Sequence, residues 1–179
     1  MGRVHRQEVR ARLARMHLLK PTLEQEPAAG NEDRDAPVPS ATEELLRLCD
    51  AGALEGGLSI AAGVRPDELI GPLTAAIGGS ARGLKILEVR DSPTSITVQL
   101  GNERHELKVD GLRALARRFN DLLAKDDLAR AIAVLGEHQD ALQLWCVDKR
   151  SLPHLLQESF FRPENRRDLS RLSVKAGVR

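Results

Sequence analysis

Five histidines, two cysteines and 26 carboxylates are the side chains of this 179-residue chain that could do chemistry, and their spacing limits what they can do. His5, His17, His105, His138 and His154 stand apart from one another and from both cysteines, and neither CxxC nor HExxH occurs, so no zinc site is expected. His105 shares strand parity with Leu107 and Val109, and His138 sits in a turn segment beside Glu137, where structural hydrogen bonding accounts for it. Cys146, within LQLWCV, alternates in step with Leu142 and Leu144. A thiol buried in such a row has a raised pKa and little nucleophilicity. Cys49 lies in an apolar helical stripe and reads the same way. Asp126-Asp127 stands at a helix end, where turn formation accounts for it. No GxSxG elbow, phosphate-cradling glycine loop or dinucleotide fingerprint is present. The expectation is a protein with no catalytic residues, no metal and no cofactor. Two cysteines cannot build a disulfide framework, which points to a reducing, cytoplasmic setting.

The remaining chemistry is that of binding. The formal charge of +1 conceals a pattern: residues 1–20 carry +5, residues 21–80 carry −8, residues 81–149 balance, and residues 150–179 carry +4. Basic ends of this kind either dock on an anionic partner or fold back on the acidic stretch. Arg6, Arg10, Arg113, Arg117, Arg118, Arg166 and Arg167 are the candidate anion-binding residues. Aromatic residues are confined to Trp145, Phe119, Phe160 and Phe161, too few for a platform that stacks single-stranded bases. Trp145 shares parity with Ala141, Gln143 and Val147, opposite the Leu142, Leu144 and Cys146 row. If that row faces helices, Trp145 faces outward and anchors a partner; if both sheet faces are covered, it is core. Trp145, Val147, Phe160, Phe161, Val9, Leu13 and Met16 are the candidate partner-binding residues.

The elements that would position these groups can be read from periodicity. Residues 4–19 form a basic amphipathic helix with Val9, Leu13 and Met16 on one stripe, stopped by Pro21. Residues 21–40, with four prolines and five acids, read as an acidic linker. Ser40-Ala-Thr-Glu43 fits a capping box ahead of a leucine-rich helix. Residues 56–60 read as a loop or short extended piece. A helix follows from Pro66, with Gly71-Pro72 implying a kink or break and Gly78-Gly79 a stop. Residues 84–90 and 94–100 are strands joined by a turn at Asp91-Ser92-Pro93. Gly101-Asn102 turns the second strand into a third, 103–109. Asp110 is expected to cap a helix carrying Leu112, Leu115, Phe119, Leu122 and Leu123. Residues 128–135 and 141–147 form a hairpin across a turn at 136–140. A last helix starts near Ser151 and ends before Pro163, and a basic tail, 162–179, could hold a short helix around Leu169 and Leu172.

The fold class expected is α+β: one antiparallel sheet of about five strands, meander plus hairpin, with helices on one face in the order α-βββ-α-ββ-α. A flexible basic N-terminal helix and its linker would precede the domain at 41–161. Over 65–161 this order is similar to that of small dimeric secretion chaperones and adaptor domains. That similarity implies a non-catalytic protein-interaction module, with a protein partner or a second copy bound through the sheet face or the tethered helix. The alternative is a DNA-associated regulator that uses residues 58–77 and the basic termini. Residues 58–73 (LSIAAGVRPDELIGPL) resemble a helix-turn-helix, with Ala62, Gly63, Val64, Leu69 and Leu73 at matching positions, although Asp67 and Glu68 would repel phosphates. No apolar run is long enough for a membrane span.

Overall fold

The computed structural model describes residues 4–21, 37–77, 85–91, 94–124 and 130–173. Most of the expected linker (22–36), the Gly78-Gly79 stop, the Ser92-Pro93 turn, the Asp126-Asp127 pair and residues 174–179 lie outside these. In chain order the elements are β1 (Val4–His5), α1 (Arg6–Arg15), β2 (Pro37–Val38), α2 (Ala41–Asp50), β3 (Gly57–Ala61), α3 (Pro66–Ile77) and β4 (Lys85–Asp91). They continue with β5 (Thr94–Leu100), β6 (Glu103–Lys108), α4 (Leu112–Leu122), β7 (Arg130–His138), β8 (Ala141–Asp148), α5 (Leu152–Gln157) and α6 (Pro163–Leu172). The class is α+β, and the expected order α-βββ-α-ββ-α runs from α3 to α5.

The strands form three small antiparallel sheets rather than one of five strands: β1-β2, β3-β8-β7 and β4-β5-β6. The reason lies at the two margins of the β7–β8 hairpin. Beside β8, the place a meander strand would need is filled by β3, in a register running from Gly57 opposite Trp145 to Ala61 opposite Ala141. Beside β7, side-chain amides close the edge. Asn120 on α4 donates from Nδ2 to Ile132 O (2.8 Å) and accepts at Oδ1 from Ile132 N (2.7 Å). Asn165 on α6 donates to Val134 O. With both edges occupied, the β4-β5-β6 meander packs as a separate layer.

The β3-β8-β7 sheet is covered on both faces, not one. Ala131, Ala133, Leu135, Trp145 and Val147 face a core built with α1, α2, α5 and α6. Ile132, Leu142, Leu144 and Cys146, with Ile60 of β3, face a second core shared with α3, α4 and the meander's Ile96, Val98 and Leu107. Two-sided burial is what near-continuous apolar strands encode. One glycine is demanded by close approach. Gly56 has φ +73°, and a β-carbon there would lie 2.2 Å from the Cys146 carbonyl oxygen; its own carbonyl accepts from Cys146 N at 2.8 Å.

Several local expectations change in the structure. Ser40 accepts from Glu43 N, as a capping box requires. Gly111, not Asp110, occupies the cap position of α4, and Asp110 pairs with Arg118 instead. Helix α3 runs through Pro72 without interruption. β7 continues past Gly136 by way of a bulge, and the hairpin turns at Gln139-Asp140, both with positive φ. The basic tail contributes α6, whose Leu169 is buried in the first core.

Candidate functional site

Trp145 is not an outward anchor. The indole is 0 % exposed, beneath the helices of the first core. Its cross-strand neighbours are Gly57 on one side and Ala133 on the other, and these small residues leave room for the ring. Nε1 donates to Glu55 O at 3.0 Å, and the ring meets Phe161 with centroids 5.9 Å apart. Val147, Phe160 and Phe161 are buried in the same core. These residues bind the chain to itself.

Helix α1 is likewise docked rather than free. Val9 and Leu13 are buried, and Met16 packs against them. The electrostatic counterpart is Glu44 of α2, whose side chain is 0 % exposed. Arg6 (3.5 Å), Arg10 (2.9 Å) and Arg47 (3.0 Å) converge on it. Arg12 pairs with Glu8 and Glu158. After α1 the chain crosses to the α2–β3 loop, where Leu18 O accepts from Glu55 N and Lys20 N donates to Ala53 O. The basic N-terminal segment therefore folds back on the acidic one, and Arg6 and Arg10 serve that contact rather than a foreign anion.

The other candidate arginines scatter. Arg118 holds Asp110 at 2.6 Å, Arg166 donates to Leu156 O, and Arg167 is exposed. Arg113 and Arg117, one turn apart on α4, reach a common cleft that Arg162 also lines. Sequence reasoning missed Arg162 because it stands between two short helices that are not separable by periodicity.

The helix-turn-helix spacing at 58–73 does not become that motif. Residues 58–61 are strand β3 within the central sheet, so no first helix exists to brace a second.

What remains open is the meander. Among the described residues the exposed large hydrophobics are Leu87 (42 %) and Val89 (36 %), both on its edge strand β4. Val89 pairs with Ile96, which pairs with Leu107. An apolar row thus crosses the sheet, buried at Leu107 and Ile96 and surfacing at Val89. A bulge between Ile86 and Glu88 inserts Leu87 into the edge. Arg90 and Glu88 pair with each other on the strand at 2.9 Å. Both meander edges carry charge, Lys85, Glu88 and Arg90 on β4 and Glu103, Arg104, Glu106 and Lys108 on β6; what sets β4 apart is the exposure of Leu87 and Val89. No sequence signal separates β4 from the other strands, because its exposure depends on which edges are filled by β3, Asn120 and Asn165.

Both thiols are free and buried. Burial pushes Cys49 up to about 11, and its Sγ donates to the carbonyls of Leu58 and Leu144. Burial pushes Cys146 up to about 12. At pH 8 neither is expected to react with a disulfide reagent in the native protein, and both should react once urea unfolds it. The same shifts act on stability. Above the ordinary thiol pKa of 9.0 the unfolded chain releases protons that the folded chain retains, so stability falls as pH rises from about 9 toward 11 and 12. The Cys49→Ala and Cys146→Ala variants should each flatten that alkaline limb in urea melts at pH 8–11; an unchanged slope would mean the thiols titrate normally.

Among the described residues, no group of three or more His, Cys, Asp and Glu could hold a metal ion, and no helix is long and apolar enough to cross a membrane. Compared with models of known families, with curated proteins and with solved structures, the chain matches none.

Proposed function

We propose that this protein is a non-catalytic interaction module that receives an extended segment of a protein partner along β4. The observation that carries the reading is the surfacing of the meander's apolar row at Leu87 and Val89, on a strand whose outer edge no described strand covers. An open edge supplies unpaired backbone donors and acceptors, and alternate side chains supply selectivity. The favoured segment would set an apolar residue beside Val89, extending the row that starts at Leu107. It would also offer charges complementary to Glu88 and Arg90. The buried thiols, and the absence of any converging acid–base set among the described side chains, favour a binding role over a catalytic one.

The test compares wild-type protein with the Leu87→Lys and Val89→Lys variants. Crosslinked complexes from the native host would be identified by mass spectrometry. Partner recovery should fall at least about ten-fold in both variants, while the exposed-site control Arg15→Gln recovers the wild-type amount. For the identified partner, β4 backbone amides should gain hydrogen-exchange protection on binding. Equal recovery in all variants, or protection gained elsewhere, would overturn the reading. If light scattering gives a dimer that Val89→Lys dissociates, the partner segment is β4 of a second copy.

A further inference from the structure

A second surface is chemically unlike the β4 edge. Where the bulge bends β7 at 134–136, a small open cleft of about 50 Å³ lies between α4 and the start of α6. Arg113 and Arg117 enter it from one face of α4, where a four-residue spacing stacks them, and Arg162 enters from the residue before α6. Glu164 is the one acid among the lining residues, beside the three arginines. No side chain caps the N-terminus of α6, which starts at Pro163 beside the cleft. Asn165, bonded to Val134 O, ties that helix end to the strand and fixes the cleft's floor.

From this arrangement we infer that the cleft binds the phosphate group of a small phosphorylated molecule. Each arginine already has one carboxylate at the rim: Glu137 at 3.2 Å from Arg113, Asp168 at 3.3 Å from Arg117, and Glu43 at 3.5 Å from Arg162. These are single contacts between solvent-exposed groups, a kind that contributes little. A tetrahedral oxyanion offers more. It can take forked bonds from several guanidinium groups at once, and such bonds are stronger than single ones. The rim carboxylates also hold the arginines in place before the ligand arrives. The cost is competition, so affinity depends on how readily those pairs are surrendered.

The experiment is a calorimetric titration of the full chain at low ionic strength, with inorganic phosphate, pyrophosphate and glycerol phosphate as probes. Saturable binding is expected. The Arg117→Gln and Arg162→Gln variants should weaken it at least about ten-fold, and Arg15→Gln, on the exposed face of α1, should leave it unchanged. The Glu164→Gln and Glu137→Gln variants should tighten it several-fold, by removing the lining carboxylate and by releasing Arg113. A gain of affinity cannot arise from damaged folding. Tighter binding of glycerol phosphate than of inorganic phosphate marks a phosphate carried on a molecule; the reverse marks the free ion, and either keeps the site. Absence of saturation, or equal affinity in every variant, overturns the proposal. So does binding of a single-stranded oligonucleotide with the same losses but of no small probe, because the site would then be part of a nucleic-acid surface.

Discussion

Replacing Trp145 by alanine is expected to lower the unfolding free energy by about 3–5 kcal/mol, the range for truncating a fully buried large aromatic side chain. The indole fills the space left by Gly57 and Ala133 across both neighbouring strands, and its ring touches Phe161. Removing it leaves a void that β-strand backbones cannot close. It also leaves the Glu55 carbonyl without its donor. The urea midpoint should fall sharply with little change in the denaturant slope. Association through β4, measured on the folded fraction, should be unaffected. A normal midpoint combined with lost association would restore an outward tryptophan.

The second large effect is expected at Glu44. Its carboxylate is fully buried, and three guanidinium groups have turned toward it. Truncation of one partner of a buried ion pair typically costs about 3–5 kcal/mol, because the charge left behind has lost its compensation. Here the arginines keep some access to water, with side chains 19 %, 36 % and 35 % exposed. They can swing outward, which places Glu44→Ala nearer about 2–3 kcal/mol. Arg10→Ala should cost less than about 1 kcal/mol, since Arg6 and Arg47 remain on the carboxylate. Loss of Glu44 also loosens α1, so protease cleavage after the exposed arginines of that helix should appear first in this variant. Equal midpoints for Glu44→Ala and Arg10→Ala would show that the carboxylate is not the hub.

Why Trp145 and Glu44 had to be located by structure follows from what local sequence encodes. Alternation on β8 gave the correct partition of its side chains, with Leu142, Leu144 and Cys146 on one face and Trp145 and Val147 on the other. Alternation cannot say whether the second face is covered. The signal that could have done so was nearby: AIAVL on β7 is apolar on both parities, the mark of a strand buried on two sides. Element order and the Ser40 cap were legible because they depend on residues a few positions apart. β3 was not, because GGLSI has too few side chains to alternate convincingly, and its strand character comes from pairing with β8. The docking of α1 was foreshadowed only as charge, +5 against −8, since no local rule selects Glu44 from eleven acids. Of the seven candidate arginines, only Arg113 and Arg117 share the cleft, because convergence with Arg162 requires the turn between α5 and α6.

The amide of Asn120 does to Ile132 what a neighbouring strand would otherwise do. It acts as a plug one residue long, fitted to the margin of the central ladder. On the far margin the short strand β3 is the edge of that ladder, and the meander ends at β4 and β6. Two molecules joined symmetrically at β4 would each bury the rim where Leu87 and Val89 surface, so contact through that rim would stop at a pair instead of lengthening into a fibre.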